Sequence, residues 1–154
     1  MNIRDVLAEL GHQMGLKVSL NDQGVCRLVF DQRFTVDIEA SPDNDTVHLY
    51  SVLCPIPSDG KERFYEQLLE ANLFGGGTGG AWFALDSLHN EVLLNRTLNM
   101  ATTDYQDFVG VLESFVNHLE SWDGKLARGE LNRPDHAATV DFDASSVLDS
   151  LIRA

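Results

Sequence analysis

The glycine run from residue 75 to 80 is the first place where the sequence could carry chemistry. Gly75, Gly77 and Gly80 satisfy the GxGxxG spacing that lets backbone amides approach a dinucleotide pyrophosphate. Such a site requires a strand before the glycines and a helix after them, whereas here a helical pattern precedes and a strand pattern follows. No Gly-Lys-Ser/Thr sequence is present for a phosphate-binding P-loop. We therefore interpret the run as a flexible loop, not as a cofactor site.

Histidine, cysteine and acidic residues are the other candidates for catalysis or metal binding. The five histidines show no HExxH spacing, and no serine lies in a GxSxG sequence. Residues 43–45 begin like a calcium-binding loop but lack the required glycine and distal glutamate. Asp37 and Glu39 share one face of a predicted strand. We interpret them as part of a solvated strand face and not as a general acid–base pair. The sequence predicts no catalytic residue, no cofactor and no metal.

Composition and charge limit the class of partner. The chain has 154 residues, of which 44% are hydrophobic and 23% charged, as is typical of one soluble globular domain. Its 24 acidic residues exceed its 11 basic ones and give a net charge of −13. Such a field repels the phosphates of nucleic acids and an anionic membrane surface. We therefore expect no nucleic-acid partner and no membrane insertion.

The N-terminus and the cysteines indicate a compartment. The first residues lack the uninterrupted apolar region of a secretory signal, and no apolar stretch is long enough to span a membrane. Cys26 and Cys54 are the only cysteines and lie inside apolar runs, which is typical of reduced core side chains. These features predict a cytosolic protein.

The hydrophobic periodicity predicts an α+β domain with the order α-β-β-β-α-β-β-α. Helices show apolar residues at i, i+3, i+4 and i+7, and strands show alternation between turn residues. Caps are expected at Ser58 or Asp59 for the second helix and at Thr103 or Asp104 for the third. Prolines at 55 and 57 are expected to end the strand before the second helix. The predicted elements are helices at 2–15, 60–73 and 104–126 and strands at 25–30, 34–39, 46–53, 82–85 and 91–98. Residues 17–20 fit a further short strand that this order does not count.

Composition changes after Arg128. Residues 129–154 contain five acids and little periodicity before Ser145. We expect a domain at 1–128 followed by an acidic, mobile C-terminal tail at 129–154.

Several strands carry more apolar residues than one buried sheet face requires. Tyr50 and Val52 point away from the face that holds Leu49, and Val25 and Val29 oppose Leu28 in the same way. One interpretation is a complete core with both sheet faces covered. The other is a homodimer with a separate apolar groove for an extended peptide, whose acidic rim keeps the protein soluble.

The order of elements, the size and the charge resemble the small acidic chaperones of bacterial type III secretion, the Tir-chaperone (CesT-like) family. The resemblance covers about residues 2–128. It is carried by the sequence Leu68-Leu69-Glu70-Ala71-Asn72 in the second helix and by five further segments, at 14–16, 47–57, 82–86, 91–94 and 115–122. The glycine run and the tail depart from the family pattern.

The resemblance implies a cytoplasmic bacterial homodimer that binds the N-terminal segment of a secreted effector in extended form. The chaperone keeps its effector soluble and hands it to the export ATPase. Effector contacts are expected from apolar residues of the first helix and the first sheet strands, namely Ile3, Leu7, Leu10, Val25, Val29, Tyr50 and Val52. The dimer interface is expected from the second helix and the strand after it, through Phe64, Leu68, Leu69, Trp82 and Phe83.

Two alternatives remain open at this stage. The same fold could sequester a regulatory protein of the secretion system instead of an effector. A small enzyme or ligand-binding domain could instead use a pocket beside His48, Tyr50 and Cys54, although no spaced catalytic set supports it.

Overall fold

The computed structural model describes residues 2–132 and has the predicted α-β-β-β-α-β-β-α order. The architecture is α+β, as the sequence predicts. Two single-turn 3-10 helices, Leu73–Gly75 and Glu130–Asn132, follow the second and third helices. The elements are α1 (Ile3–Met14), β1 (Val25–Phe30), β2 (Phe34–Ala40), β3 (Thr46–Pro55), α2 (Lys61–Asn72), β4 (Trp82–Asp86), β5 (Glu91–Asn99) and α3 (Tyr105–Ala127).

The five strands form one antiparallel sheet in the order β1-β2-β3-β5-β4. β1 and β4 are therefore the two edges. Along β3, buried Val47, Leu49 and Leu53 alternate with outward-facing His48 and Val52, as expected for a sheet covered on one face. α3 packs on β2 and β3, and α2 packs beside β4. The buried side chains of all three helices and the inner sheet face form one core.

The first helix begins and ends where the sequence predicts. The Asn2 side chain accepts a hydrogen bond from the Arg4 amide, which caps the N-terminus. Gly15 ends the helix in the left-handed conformation, with φ 67°, which glycine adopts without steric cost. The apolar stripe of α1 faces the core.

The third helix carries the longest apolar stripe. Asp104 and Asp107 form a capping box, because each side chain accepts a hydrogen bond from the other's backbone amide at 2.8 and 3.3 Å. Its buried residues are Phe108, Leu112, Phe115, Leu119 and Trp122. This helix confirms the predicted cap and periodicity.

Three local predictions differ from the structure. Residues 17–20 form no strand, although Val18 and Leu20 are buried without joining the ladder. β3 continues to Pro55, two residues beyond the predicted end. Proline has no amide hydrogen to donate, but at the last position of a strand this does not interrupt the pairing. α2 is preceded by Gly60 with φ 66° and no side-chain cap, so the predicted Ser58 or Asp59 cap is wrong.

The glycine run is a folded turn, so its prediction as a flexible loop is wrong. The Gly75 carbonyl accepts hydrogen bonds from the amides of Thr78 and Gly80, at 3.2 and 3.1 Å. Thr78 is fully buried, and the Trp122 indole donates a 2.9 Å hydrogen bond to the Gly77 carbonyl. Composition alone gave no signal for these tertiary contacts.

The packed part of the chain continues past the expected boundary at residue 128. The chain turns at Gly129, with φ 67°, and Leu131 is 2% exposed within the core. The remainder of the predicted tail, 133–154, lies outside the described residues. Over residues 2–132, no helix combines the length and the apolar character needed to cross a membrane.

Candidate binding surfaces

Most of the large exposed hydrophobic side chains of the described residues fall on two surfaces. We define the sheet surface as Val25, Arg27, Val29, Tyr50 and Val52, on the outer face of β1 and β3. We define the α2–β4 surface as Leu69, Leu73, Phe74 and Leu85, which are all exposed. Exposed Trp82 lies instead on the outer sheet face, since it pairs with Asn95 and Asn95 pairs with Tyr50.

The sheet surface combines apolar residues with one ion pair. Strand register places Arg27 opposite Asp37 and Asp37 opposite Tyr50, so the three side chains cross β1, β2 and β3 in a row. Arg27 donates two hydrogen bonds to the Asp37 carboxylate, at 2.7 and 2.8 Å, in a bidentate pair. Exposed Val29 and Val52 lie on the same face.

The pKa shifts in this row favour the charged form of Arg27 and the neutral form of Tyr50. The hydrogen bond to Asp37 raises the pKa of Arg27, which stays charged. Partial burial, followed by the nearby carboxylates of Glu39 and Asp37, raises the pKa of Tyr50. The phenol is therefore neutral at physiological pH, and it is hydrogen-bonded to the Glu39 side chain.

The structure separates the predicted effector-binding residues into two groups. Val29 and Val52 are exposed, and Val25 and Tyr50 are half-buried, so all four are accessible on the sheet surface. The other three, Ile3, Leu7 and Leu10, are buried in the core of the single chain, because the apolar stripe of α1 faces that core. What α1 leaves accessible is its end: exposed Met14 borders a groove of about 490 Å³ between α1 and α3.

The predicted dimer residues divide in the same way. Phe64, Leu68 and Phe83 are buried in the core, whereas Leu69 and Trp82 are exposed. Between α2 and β4 lies an apolar pocket of about 170 Å³, the α2–β4 pocket, and no charged residue within 2–132 lines it. Its lining is Tyr65, Leu68, Leu69, Asn72, Phe83, Ala84 and Leu85.

Asn72 fixes α2 to the edge strand β4. Its side-chain oxygen accepts a 2.7 Å hydrogen bond from the Phe83 amide, and its amide nitrogen donates to the Phe83 carbonyl at 3.2 Å. The sequence reasoning named Asn72 only as part of a family segment and missed this role. An asparagine at the last position of a helix hints at a side-chain contact, but nothing in the sequence names the partner.

The residues of the alternative ligand pocket do not come together. His48 pairs with Thr97 and Cys54 with Val92 on β5, so the two lie six residues apart along β3, about 20 Å. Burial raises the pKa of the Cys54 thiol to about 11, which leaves it protonated near neutral pH. Within residues 2–132, no group of three or more His, Cys, Asp and Glu side chains is arranged to hold a metal ion.

Residues 5–123 match the model of the Tir chaperone protein (CesT) family. The chain belongs to this family. Membership makes it a chaperone of the type III secretion class, in agreement with the resemblance carried by its sequence.

Individual relatives agree with the family match. The Chlamydia pneumoniae protein CPj0713/CpB0740 is 34% identical over 113 residues, which are 73% of this chain and 85% of that protein. The ExsC–ExsE complex contains a chain that is 22% identical, with a TM-score of 0.67 over 79% of this chain and 91% of that one. The Yersinia pestis type III secretion chaperone SycH, solved with a fragment of YscM2, is also 22% identical, with a TM-score of 0.60 over 77% and 98%. At these identities, the two structures show a shared fold.

Proposed function

We propose that this chain acts as a homodimer in the bacterial cytoplasm and binds the N-terminal segment of a secreted effector. The segment lies extended on the sheet surface, which keeps the effector soluble until it reaches the export ATPase. The chain catalyses no reaction in this scheme, since binding and release are sufficient. The observation that carries the proposal is an outer sheet face that no described element covers and that exposes Val29 and Val52.

The spacing of the sheet surface fits an extended peptide. Val25, Arg27 and Val29 alternate along β1 with inward-facing residues, so their side chains recur about every 7 Å. An extended segment presents its own side chains at the same interval, and its apolar positions can therefore meet Val29 and Val52 in register. The Arg27–Asp37 pair, one row further along the same face, offers polar groups to the peptide backbone.

The two sheet edges differ in what they offer a further strand. At β4, the Asn72 side chain already takes both backbone groups of Phe83. At β1, Asn21 takes the backbone groups of Val25. Because hydrogen-bonding direction alternates along a strand, the amides of Arg27 and Val29 face the same side as Val25. This part of β1 is where an effector strand would add to the sheet.

The α2–β4 surface suits a contact between two copies. The large hydrophobic side chains named for it are exposed, and its pocket has no charged lining among the described residues, so two acidic chains can meet with no carboxylate inside the pocket. SycH, with the same fold, was solved with a fragment of YscM2. That complex supports a protein partner for the fold without naming the partner of this chain.

Affinity purification of the tagged chain from a bacterium that produces it tests the proposal. We expect one bound protein per two chains, protected from proteolysis over an N-terminal stretch. Val52→Asp should lose that protein, because a carboxylate would replace an apolar contact. Leu88→Asp, which adds the same charge at an exposed leucine of the β4–β5 turn, should retain it.

The identity of the bound protein separates the remaining alternatives. A regulatory protein in the eluate would support sequestration instead of effector delivery. If no protein is bound by the wild-type chain in cells that make the secretion system, the proposed function is wrong.

A further inference from the structure

Phe74 combines two features that the fold of a single chain does not explain. Its side chain is 98% exposed, and its backbone adopts φ 52° and ψ 18°. The left-handed region is uncommon for residues other than glycine and is a marked outlier for a bulky side chain. The chain therefore holds a large aromatic residue in water on a disfavoured backbone, directly after α2.

The glycine run holds Phe74 in this position. The Gly77 amide donates a 3.1 Å hydrogen bond to the Ala71 carbonyl at the end of α2, while Trp122 binds the Gly77 carbonyl from α3. A Cβ atom on Gly75 would lie 2.6 Å from the Gly80 Cα, so the turn closes only with glycine at this position. The turn that follows Phe74 is thus hydrogen-bonded to both α2 and α3.

The α2–β4 pocket lies at the C-terminal end of α2, close in sequence to Phe74. Leu69 and Asn72, on the last turns of α2, line the pocket, and Phe74 follows two residues after Asn72. Phe74 does not occupy the pocket of its own chain, since it is almost fully exposed. One chain therefore carries both an apolar projection and an apolar pocket near the C-terminal end of α2.

We propose that Phe74 of one copy fills the α2–β4 pocket of a second copy of this chain. In a two-fold dimer the same patch meets itself, so each chain contributes one projecting Phe74 and one pocket. Burial of two aromatic rings in apolar pockets offsets the backbone cost at each Phe74. The absence of charge in the pocket lining lets two chains of net charge −13 approach there. This inference rests on the homodimer of the proposed function and assigns its anchor.

Phe74→Gly tests the inference, because it affects the single chain and the dimer in opposite directions. Glycine relieves the left-handed backbone, so the thermal midpoint of the monomeric chain at high dilution should not fall. It also removes the projecting ring, so the dimer dissociation constant from sedimentation equilibrium should rise at least tenfold. Leu88→Gly removes a similarly exposed side chain that does not line the pocket, and should leave the constant within twofold.

A cross-linking experiment tests whether position 74 of one copy lies at the α2–β4 pocket of the other. Copies carrying Phe74→Cys are mixed with copies carrying Ala84→Cys, at the pocket, and treated with a short bismaleimide. We expect a covalent species containing one copy of each kind, whereas Leu88→Cys mixed with Ala84→Cys should give much less.

The outcomes distinguish this inference from the proposed function. An unchanged dissociation constant for Phe74→Gly, or no mixed cross-link, overturns the inference while effector capture by the wild-type chain is unaffected. A wild-type chain that stays monomeric at every concentration also overturns it. Loss of effector capture with an intact Phe74-dependent dimer would instead refute the proposed function.

Discussion

The sheet surface and the α2–β4 surface expose similar aliphatic side chains but differ in the polar groups among them. On the sheet surface, Val29 and Val52 lie beside the Arg27–Asp37 ion pair. No charged side chain lines the α2–β4 pocket, and its one amide, Asn72, is already bonded to Phe83.

This difference separates two kinds of association. An apolar pocket with satisfied polar groups favours a persistent contact that depends little on salt. A surface with an exposed arginine can hydrogen-bond a partner, tune the encounter rate and still release that partner. The proposed function, in which a dimer releases its effector without dissociating, requires both kinds of association.

The largest effect is expected from Leu69→Asp on the α2–β4 surface. Leu69 is 68% exposed, so the single chain should fold, whereas an unpaired carboxylate in the dimer contact should cost about 4 kcal/mol. The dimer dissociation constant should rise about a thousandfold. Light scattering across concentration measures the change. Leu16→Asp, at 61% exposure outside this surface, should leave the mass unchanged.

Leu68 is unsuitable for the same experiment. Its side chain is buried in the core, so an aspartate there would unfold the monomer and leave the interface untested. A dimer mass that survives Leu69→Asp would place the contact elsewhere and remove the contrast between the two surfaces.

The second effect is expected on the sheet surface, with the dimer intact. Val29→Asp removes an apolar contact worth about 1.5 kcal/mol or more and should weaken binding of the protected effector segment at least about tenfold. Titration calorimetry measures the affinity, and light scattering should show an unchanged dimer. If Val29→Asp dissociates the dimer instead, the sheet surface forms the dimer contact and its assignment to the effector is wrong.

The elements of the fold could be predicted from sequence where the signal is local. The α3 stripe from Phe108 to Trp122 and its Asp104 cap need only neighbours along one helix. The alternation that leaves Val52 exposed likewise follows from strand period alone. These features were therefore predicted with nearly correct boundaries.

Features that depend on distant contacts could not be predicted. The role of α1 is one example, since Ile3 and Leu7 form an apolar stripe whether it faces an effector or the chain's own sheet. The glycine run is another: its rigidity comes from Trp122, more than 40 residues later in the chain. Periodicity tells which side chains leave water but not which surface covers them.

A smaller effect is expected from Asp37→Asn, which tests the polar part of the sheet surface. The change removes the charge of a carboxylate that is 9% exposed, but its partner Arg27 stays hydrated. We expect a loss of at most about 1 kcal/mol, or about 4 °C in the thermal midpoint. Effector affinity should fall and become less dependent on salt, while the dimer constant is unchanged. A large loss of dimer would contradict the separation of the surfaces.

The smallest effect concerns the turn after β4, where Asp86 and His89 form an exposed pair at 2.7 Å. The hydrogen bond to His89 lowers the pKa of Asp86, so its contribution to stability is present above pH 3.8 and is lost as the pH falls through the lowered pKa. The hydrogen bond to Asp86 raises the pKa of His89. That contribution is complete below pH 6.5 and is lost as the pH rises through the raised pKa.

The pair should therefore stabilise the chain most between about pH 4 and 6.5. The difference in thermal midpoint between wild type and His89→Gln, measured across pH, should be greatest in that window. Repeating the comparison with and without His89→Gln in the Leu69→Asp variant, which is expected to be monomeric, shows whether the dimer contact includes the β4–β5 turn. If this pH range is the same in monomer and dimer, Asp86 remains solvated in the dimer, and the apolar contact ends at Leu85. If the pH range differs in the dimer, the contact between the two chains extends past β4 and includes the Asp86–His89 pair. The dimer contact would then contain ionisable side chains, in contrast to the α2–β4 pocket.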